Sequence, residues 1–334
     1  MKILVTGGAG FIGSCFVRMA LAVSDHKIVN FDKLTYAGNL ENLASIEGRP
    51  GYQFVKGDIA DAGAVARVFE EHKPDAVVHF AAESHVDRSI LSPLPVFETN
   101  LRGTFTLLEA ARTLGIGRFV HISTDEVYGS IDEPHEADES YPLNASSPYS
   151  AGKAGSDLLA LAYFKTYRLP VVVTRASNNY GPFQFPEKLI PLMISNALED
   201  KPLPVYGDGM QIRDWLYVED HCRAILSVLT KGREGEVYNI GGNRSLPNRE
   251  VVDRILAATG KPVSLIRYVA DRPGHDRRYA LSSEKLLRET AWGPTMDFET
   301  GLAETVAWYK ANRDWVARVK SGEYLKYYES QYAL

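Results

Sequence analysis

Short apolar runs alternate with segments of helical period from the amino terminus to about residue 175. The runs are rich in β-branched residues, which predicts β-strands at 2–6, 27–31, 52–55, 76–80, 118–123 and 170–175. The intervening segments repeat apolar residues every three to four positions, which predicts helices at 11–22, 62–72, 100–114 and 149–168. This alternation predicts an α/β fold with a doubly wound parallel sheet of the Rossmann-like type.

The pattern becomes mixed beyond Asn178, where Gly- and Pro-rich turns and short apolar runs come first. Helices are predicted again at 219–230, 248–259, 283–289 and 299–311. We therefore expect one domain over 1–178 and, over 179–334, mainly a smaller mixed α/β domain interleaved with the first. The tyrosine-rich end, 324–334, could pack on the body of the protein or on a partner, and the sequence does not decide between them.

Composition and charge narrow the class of protein. The 334 residues carry a formal net charge of −5, which argues against a surface for nucleic acid or for an anionic membrane. Cys15 and Cys222 are the only cysteines and have no zinc-type spacing, so we expect no disulfide, no metal site and a reducing, cytoplasmic location. Glycines interrupt the apolar amino terminus and no run of 18 apolar residues occurs, so neither a signal peptide nor a membrane span is expected.

The stretch VTGGAGFIGS, residues 5–14, follows the first predicted strand and opens the first predicted helix. Its small residues Gly7, Gly10 and Gly13 allow a tight turn and a close approach of backbone N–H groups to a pyrophosphate. Asp32 ends the second strand, where a carboxylate accepts hydrogen bonds from an adenosine ribose and repels a 2′-phosphate. The pattern predicts NAD rather than NADP, although Lys33 beside Asp32 weakens the exclusion of NADP.

Two of the carboxylates at strand ends have alternative roles. Asp32 could instead hold a turn or cap a helix. Asp58, at the end of the third strand, could reach the adenine amino group or cap the helix predicted at 62–72. The sequence favours neither role for Asp58.

Tyr149 and Lys153 lie four residues apart at the start of a predicted helix and therefore share a face. A lysine cation and the positive charge of a nicotinamide are expected to lower the tyrosine pKa from its usual value of about 10. Tyr149 could then remove a hydroxyl proton. The structural alternative is an aromatic core residue beside a solvated lysine.

Thr124, Asp125 and Glu126 follow the strand predicted at 118–123, at the sheet edge where such folds bind ligands. Burial and mutual repulsion of adjacent acids raise one pKa, which leaves one acid protonated and the other ionised. Such a pair can give and take protons. The structural alternative is two solvated carboxylates at the end of a strand.

Together these motifs resemble the extended short-chain dehydrogenase/reductase family and, within it, the nucleotide-sugar branch. Longer stretches are similar to the dTDP-glucose 4,6-dehydratases of that branch over essentially the whole chain. These stretches are DKLTYAGNLENL (32–43), AAESHVDRSI (81–90), STDEVYG (123–129), NNYGPFQFPEKLIP (178–191) and DRPGHDRRYA (271–280). The resemblance implies an NAD-dependent hydro-lyase that converts dTDP-glucose to the 4-keto-6-deoxy sugar.

The resemblance also implies a role for each reactive group. Tyr149 would take the proton of the sugar 4-hydroxyl as hydride leaves C4 for NAD⁺, with Thr124 hydrogen-bonded to that hydroxyl and Lys153 holding the ribose. Glu126 would then remove the C5 proton, Asp125 would protonate the departing 6-hydroxyl, and hydride would return to C6. Because hydride is returned, NAD is expected to stay bound through the cycle.

The same resemblance implies the two halves of the site. The residues expected to contact NAD are Gly7, Gly10, Phe11, Ile12, Gly13, Asp32, Lys33, Thr35, Asp58, Ile59, Phe80, Ala81, Ala82, Ser84, Thr99, Tyr149, Lys153 and Asn179. Those expected to contact the nucleotide sugar are Ser84, Thr124, Asn178, Lys188, Leu189, Pro204, Tyr206, Arg213, Asn248, Asp271, Arg272 and His275. Arg213, Arg272 and His275 are the candidates to neutralise the diphosphate.

Three alternative functions stay open at this point. A dehydratase for a UDP-sugar is one, because thymine and uracil differ by one methyl group, worth only about 1–3 kcal/mol in an apolar pocket. A nucleotide-sugar 4-epimerase is disfavoured by Asp125 and Glu126, since that reaction removes no water. A non-catalytic NAD-binding sensor is disfavoured because the reactive groups are all present.

A homodimer is also expected. The run 156–164 is apolar around more of its helix than one buried face needs. The resemblance implies that helices 100–114 and 149–168 pair with their symmetry mates in a four-helix bundle.

Overall fold

The computed structural model describes residues 1–320 together with Tyr328 and Gln331. In chain order, its strands are β1 (Lys2–Thr6), β2 (Lys27–Asp32), β3 (Tyr52–Lys56), β4 (Ala76–His79), β5 (Arg118–Thr124), β6 (Val171–Ala176), β7 (Asn178–Tyr180), β8 (Leu203–Tyr206), β9 (Ile212–Tyr217), β10 (Val237–Ile240), β11 (Ser245–Pro247) and β12 (Ile266–Val269). Its α-helices are α1 (Phe11–Val23), α2 (Ala62–His72), α3 (Val86–Leu91), α4 (Leu94–Val96), α5 (Thr104–Leu114), α6 (Pro148–Tyr167), α7 (Leu189–Leu198), α8 (Val218–Lys231), α9 (Asn248–Thr259), α10 (Glu284–Thr290), α11 (Phe298–Ala311) and α12 (Arg313–Val319).

Within the described residues, a seven-stranded sheet has the strand order β10-β6-β5-β4-β1-β2-β3, and all its neighbours are parallel. The predicted doubly wound α/β fold is therefore confirmed. The six predicted strands of this sheet each lie within one residue of their expected ends. Because β1 pairs with β2 on one side and β4 on the other, the winding reverses there, and a crevice opens at the carboxyl ends of these strands.

Alternate residues of each strand pack on opposite faces of the main sheet. On β1, Ile3 and Val5 lie in a core with α1 and α8, whereas Leu4 lies in a second core with α2, α5 and α6. Both faces are covered, which explains why these strands are nearly continuous apolar runs rather than alternating ones.

A smaller layer lies beside the main sheet. The strands β7, β9 and β11 form one short sheet, and β8 pairs with β12 in another. These strands and the helices α7, α9 and α11 enclose a separate core that contains Tyr180, Trp215 and Phe298. The chain crosses between the layers, because β10 returns from this second half to complete the main sheet.

Some elements differ from the prediction. Of the helix expected at 100–114, α5 covers only the part from Thr104, because a π-helical segment occupies Phe97–Gly103. The helix α7 was not predicted at all. Eight of the ten α7 residues are buried, so its sequence lacks the polar face that marks a surface helix. Within the π-helical segment, Asn100 exchanges hydrogen bonds of 2.8 and 2.9 Å with the backbone of Glu83.

The prediction for the tyrosine-rich end falls on 324–334, of which only Tyr328 and Gln331 are described. The Asn196 amide donates to the Tyr328 hydroxyl at 2.9 Å, and the Gln331 amide donates to the Tyr206 hydroxyl at 2.8 Å.

In the described part of the chain, no helix is long and apolar enough to span a membrane. The same residues contain no cluster of three or more His, Cys, Asp and Glu side chains that could hold a metal ion.

Candidate active site

A cavity of about 410 Å³ lies at the carboxyl ends of the main-sheet strands and extends to the smaller layer. Every site residue predicted from the sequence lines this cavity except Asp271. Asp271 lies behind the wall, where its carboxylate accepts a hydrogen bond of 2.6 Å from His275 Nδ1. Asp271 therefore supports a lining residue without lining the cavity itself.

The glycine turn after β1 is built by close backbone contacts. Gly7 has a φ of +72°, and a Cβ atom there would lie 2.6 Å from the backbone nitrogen of Ala81. A Cβ atom on Gly13 would lie 2.2 Å from the Gly7 carbonyl oxygen. Gly10 precedes α1 and supplies no side-chain acceptor to the amides of its first turn. This helix end therefore offers N–H donors to a pyrophosphate.

Asp32 fills the structural role considered for it. Its two carboxylate oxygens accept hydrogen bonds from the backbone nitrogens of Ala9 at 2.9 Å and Leu34 at 2.8 Å, so it holds the glycine turn in place. Burial raises the Asp32 pKa, and these two amides partly offset the rise. Its position at the end of β2 in the cavity wall also suits a ribose hydroxyl.

The contacts of Asp61 and Asp58 decide whether Asp58 caps α2. Asp61, not Asp58, caps α2, because its carboxylate accepts from the backbone nitrogens of Gly63 at 2.9 Å and Ala64 at 3.1 Å. The capping role for Asp58 is therefore wrong. Asp58 instead forms an ion pair of 2.6 Å with Lys33 at the cavity wall.

A capped helix start presents Tyr149 and Lys153. Ser147 and Ser150 form a reciprocal capping box at the first turn of α6, where Pro148 also favours a helix start. The Tyr149 backbone nitrogen donates to the Ser89 hydroxyl oxygen at 3.2 Å, and Lys153 Nζ donates to the Ile122 carbonyl at 2.5 Å. Both side chains are buried in the cavity wall.

The pKa shifts of this pair differ from the expectation. Burial raises the pKa of Tyr149, the charges of Glu126 and Asp125 raise it further, and a hydrogen bond with Thr124 offsets only part of the rise. Burial also lowers the pKa of Lys153 to about 8, against the attraction of Asp157. The chain's own groups therefore raise the Tyr149 pKa, whereas the predicted lowering also depends on the nicotinamide charge and stays a prediction.

Asp125 and Glu126 begin a 3₁₀ turn at the end of β5. The Thr124 hydroxyl donates to Asp125 Oδ1 at 3.2 Å, while Asp125 Oδ2 is buried and has no hydrogen-bond partner among the described residues. Burial and the neighbouring Glu126 charge raise the Asp125 pKa well above its ordinary value. Burial also raises the Glu126 pKa, but Arg272, Lys188 and Arg213 oppose that rise. Of the two acids, Asp125 therefore holds its proton more strongly.

Cations from the second half of the chain surround this acid pair. The Arg213 guanidinium lies 4.1 Å from the centre of the Tyr279 ring and donates to the Asp276 carbonyl at 2.8 Å. Lys188 Nζ donates to the Ser84 carbonyl. His275 differs from the expectation: burial and Arg272 lower its pKa to about 4, so it is neutral at pH 7 and supplies no charge to a diphosphate.

A family model for GDP-mannose 4,6 dehydratases matches residues 4–305. The chain belongs to this family. The matched range contains every residue that lines the cavity, from Gly7 to Tyr279. The family assignment therefore covers the whole site as well as the sheet.

Individual relatives agree with the family match. The dTDP-glucose 4,6-dehydratase of Shigella flexneri is 54% identical, over 99% of this chain and 99% of that protein. The dTDP-glucose 4,6-dehydratase of Streptomyces venezuelae, solved with NAD bound, has a TM-score of 0.94 and 53% identity, covering 96% of this chain and 100% of that one. The resemblance to the nucleotide-sugar branch is confirmed.

An epimerase shares the fold. The UDP-glucose 4-epimerase of Thermus thermophilus, solved with NAD, has a TM-score of 0.87 and 34% identity, covering 93% of this chain and 100% of that one. Because members of one fold differ in chemistry, the fold alone does not select the reaction. The side chains in the cavity must do so.

Several lining residues of this family member were missed from the sequence. Glu187 accepts hydrogen bonds from the Tyr36 hydroxyl at 2.9 Å and Arg88 Nε at 3.1 Å, and its side chain is 2% exposed. The Tyr279 hydroxyl donates to Asp276 at 2.8 Å. Glu187 and Tyr279 both lie inside stretches already noted for similarity, yet an isolated acid or tyrosine carries no periodic signal that separates it from surface or core positions.

Proposed function

We propose that the chain is an NAD-dependent 4,6-dehydratase that converts dTDP-glucose to the 4-keto-6-deoxy sugar. The observation that carries the proposal is the adjacent pair Asp125 and Glu126, whose pKa values are raised unequally beside Tyr149 in one cavity. Oxidation needs one proton acceptor, whereas loss of water also needs an acid and a base. A nucleotide-sugar epimerase has no use for this second set.

The cofactor half fits NAD. A Cβ atom at Gly7 or Gly13 would fill the space beside the turn, and the open start of α1 provides donors for a pyrophosphate. Asp32 would accept from the adenosine ribose and disfavour a 2′-phosphate. When bound, NAD⁺ accepts hydride from the sugar and later returns it, and its positive charge favours the ionised tyrosine. Asp58 would lie near the adenine.

Tyr149 serves as the base in the oxidation stage. Thr124 hydrogen-bonds to Tyr149 and would share the sugar 4-hydroxyl with it. Lys153 lies one helical turn further along α6, where its ammonium group would bind the cofactor ribose and stabilise the phenolate. The high Tyr149 pKa in the chain alone keeps the phenol protonated at neutral pH, so ionisation would be coupled to cofactor binding.

Asp125 and Glu126 serve in the elimination stage. The 4-ketone acidifies the C5 proton, which Glu126 would accept, and Asp125 would protonate the departing 6-hydroxyl. Arg272 and Lys188 oppose the rise of the Glu126 pKa, whereas the Glu126 charge adds to the rise at Asp125, which matches the base to Glu126 and the acid to Asp125. Return of the hydride to C6, with return of a proton from Glu126 to C5, would complete the product, and NAD would stay bound for the next cycle.

Residues 1–178 would chiefly hold NAD, and residues 179–334 would chiefly hold the nucleotide sugar. Arg213 and Arg272 would neutralise the diphosphate, since His275 is uncharged. The remaining sugar-nucleotide candidates are Ser84, Asn178, Lys188, Leu189, Pro204, Tyr206 and Asn248. Two free buried cysteines fit a cytoplasmic location.

The substrate is tested by incubating the purified protein separately with dTDP-glucose and UDP-glucose. We expect a 4-keto-6-deoxy product from dTDP-glucose and much less from UDP-glucose. A galactose product from either sugar would establish an epimerase instead. Equal rates with both sugars would contradict the preference for dTDP-glucose but would still support the 4,6-dehydratase reaction.

The acid pair is tested in a single turnover. Glu126→Gln and Asp125→Asn keep the shape of each side chain but cannot transfer a carboxylate proton, a contribution of about 10²–10⁴ in rate. We expect bound NADH absorbance to appear while product release stalls, with slowed exchange of the C5 proton for Glu126→Gln. Tyr149→Phe should suppress both stages. Product formation at the unmodified rate in both acid variants would contradict the proposal.

We also propose a homodimer. Leu94, Phe97, Phe105 and Leu158 are between 47% and 65% exposed, and they lie on α4, the π-helical segment, α5 and α6, which pack side by side. Monomeric soluble proteins rarely expose such a patch. Light scattering should give twice the chain mass, and Phe105→Glu should give a monomer. Val263→Glu, at an exposed apolar residue outside the patch, is the control and should stay dimeric.

A further inference from the structure

Asp87 lies on the short helix α3 and lines the sugar end of the cavity. It is 5% exposed, and its carboxylate bridges two residues of the second half of the chain. Oδ1 accepts a hydrogen bond from Arg272 Nη1 at 2.9 Å, and Oδ2 accepts one from the Tyr206 hydroxyl at 2.9 Å. Arg272 and Tyr206 line the same cavity. One buried acid thus fixes two side chains that face a ligand.

The helix that carries Asp87 is tied to the catalytic helix as well. Ser89, two residues further along α3, accepts a hydrogen bond from the Tyr149 backbone nitrogen. The start of α6 and the Arg272 side chain are therefore both hydrogen-bonded to α3. A shift of α3 would therefore move both Tyr149 and Arg272.

The ion pair leaves Arg272 able to bind a further anion. A guanidinium has five N–H donors in a rigid fork, and the bond to Asp87 uses one edge of that fork. Arg272 Nε is buried and has no hydrogen-bond partner among the described residues. Burial would raise the Asp87 pKa, but its neighbours, Arg272 among them, lower it below the ordinary value, so it is a carboxylate at neutral pH.

We propose that Asp87 is a positioning residue, which holds Arg272 and Tyr206 in the orientation that binds the diphosphate of the nucleotide sugar. This inference rests on the proposed function. It assigns Asp87 no proton transfer and no direct contact with the reacting atoms.

Charge and position make opposite predictions for Asp87. By Coulomb attraction alone, replacing a carboxylate near the diphosphate with a neutral amide strengthens binding of the anion. If Asp87 orients Arg272, the same replacement releases the guanidinium, and binding weakens. The sign of the change therefore separates a positioning role from a mere negative charge in the wall.

The test compares dTDP with thymidine on the NAD-loaded protein by isothermal titration calorimetry. For Asp87→Asn, we expect dTDP to bind about tenfold or more weakly, because the charge-assisted hydrogen bond that orients Arg272 is replaced by a weaker neutral one. Thymidine, which has no phosphate, should bind unchanged. In turnover, the KM for dTDP-glucose should rise while kcat is largely kept.

Two further variants sharpen the test. Asp208→Asn removes the acid of an exposed ion pair with Arg277 outside the cavity, and it should change neither ligand's affinity. Asp87→Glu keeps the charge but moves it by one methylene group, and it should weaken dTDP binding while leaving thymidine binding intact. The Glu variant decides the question if Asp87→Asn does not fold.

The outcomes distinguish this inference from the proposed function. The variant that decides is Asp87→Asn, or Asp87→Glu if Asp87→Asn does not fold. Unchanged or tighter dTDP binding by this variant would overturn the inference and leave the proposed function standing. An equal loss of thymidine binding would also overturn the inference, because it indicates a general structural defect. If the unmodified protein binds dTDP no more tightly than thymidine, the proposed function fails and the inference fails with it.

Discussion

The cofactor end and the sugar end of the cavity are built from different kinds of group. At the cofactor end, Gly7, Gly10 and Gly13 lie within seven residues of one another and act through the backbone. At the sugar end, ionisable side chains from α3, the 3₁₀ turn after β5, β9 and the 271–279 segment meet across long sequence separations. The cofactor end is therefore formed by the backbone of one turn, whereas the sugar end is formed by side chains that only the folded chain brings together.

The two regions also differ in how their polar groups are satisfied. Asp32 uses both oxygens to hold the glycine turn, so the cofactor end supports the structure around it. At the sugar end, Asp125 Oδ2, Asn178 Oδ1, Asn248 Oδ1 and Arg272 Nε are buried without hydrogen-bond partners among the described residues. Unpaired buried polar groups lower stability and suit a ligand that will pair with them.

The strongest test of the contrast is Gly13→Ala. Alanine favours a helix over glycine by about 1 kcal/mol, so propensity alone predicts stabilisation. The new Cβ atom would lie 2.2 Å from the Gly7 carbonyl oxygen and 2.9 Å from the Gly8 Cα atom, which forces the turn open. We expect lost NAD retention, lost turnover and a destabilisation of about 1–3 kcal/mol.

The matched control for Gly13→Ala is Gly293→Ala. A Cβ atom there meets no heavy atom within 4 Å. NAD content by absorbance after gel filtration and the thermal midpoint of both variants give the comparison. Retention of NAD by Gly13→Ala at the unmodified level would show that the turn is not the rigid element described above.

The same contrast explains what the sequence could predict. Six strands of the main sheet and helices such as α1, α6 and α9 follow from hydrophobic period, and the glycine turn follows from spacing. The helix α7 was missed because it is buried almost all round. The seventh strand of the main sheet, β10, was also missed; it has only four residues, all of them buried. Local patterns record local structure, but they do not record which distant segments meet.

The chemistry was predicted less completely for the same reason. Asp125 and Glu126 were found because they are adjacent, but Asp87 and Glu187 were not, because their partners are distant in sequence. The prediction for the Tyr149 pKa weighed Lys153 and the nicotinamide charge, but burial and the carboxylates across the cavity also act on this group and raise its pKa. An electrostatic environment depends on all neighbours in space, which the sequence does not show.

Asp125→Asn tests whether the sugar end lowers stability. The folded pKa of Asp125 lies well above the unfolded value of about 3.9, so the folded state holds the proton more tightly. Stability from this group is full below about pH 4 and is lost as pH rises towards the folded pKa. Asparagine does not titrate, so we expect Asp125→Asn to be stabilised relative to the unmodified protein at pH 7, by about 1.4 kcal/mol for each unit of the pKa rise.

Thermal midpoints of the Asp125→Asn variant and the unmodified protein at pH 5 and pH 7 provide the measurement. The gain should be larger at pH 7, although we expect this variant to be impaired in dehydration. Asp138→Asn is the control, because Asp138 is exposed and hydrogen bonds from Ser140 lower its pKa. A loss of stability in Asp125→Asn at pH 7 would mean that the acid supports the fold as Asp32 does.

The smallest expected effect is at Lys33, on the exposed rim of the cofactor end. Lys33 pairs with Asp58 at 2.6 Å, and its side chain is 57% exposed, so Lys33→Ala should change stability by less than about 1 kcal/mol. The substitution leaves Asp32 and Asp58 without this cation, which should strengthen repulsion of a 2′-phosphate. We expect the preference for NAD over NADP to rise by up to about fivefold, since an exposed charge contributes about 1 kcal/mol at most.

Reconstitution of cofactor-free protein with each dinucleotide measures this preference, and Lys27→Ala, at the other end of β2, is the control. If Lys33→Ala instead gained NADP binding, the Lys33–Asp58 pair would be excluding the phosphate, and Asp32 alone would not account for the selectivity.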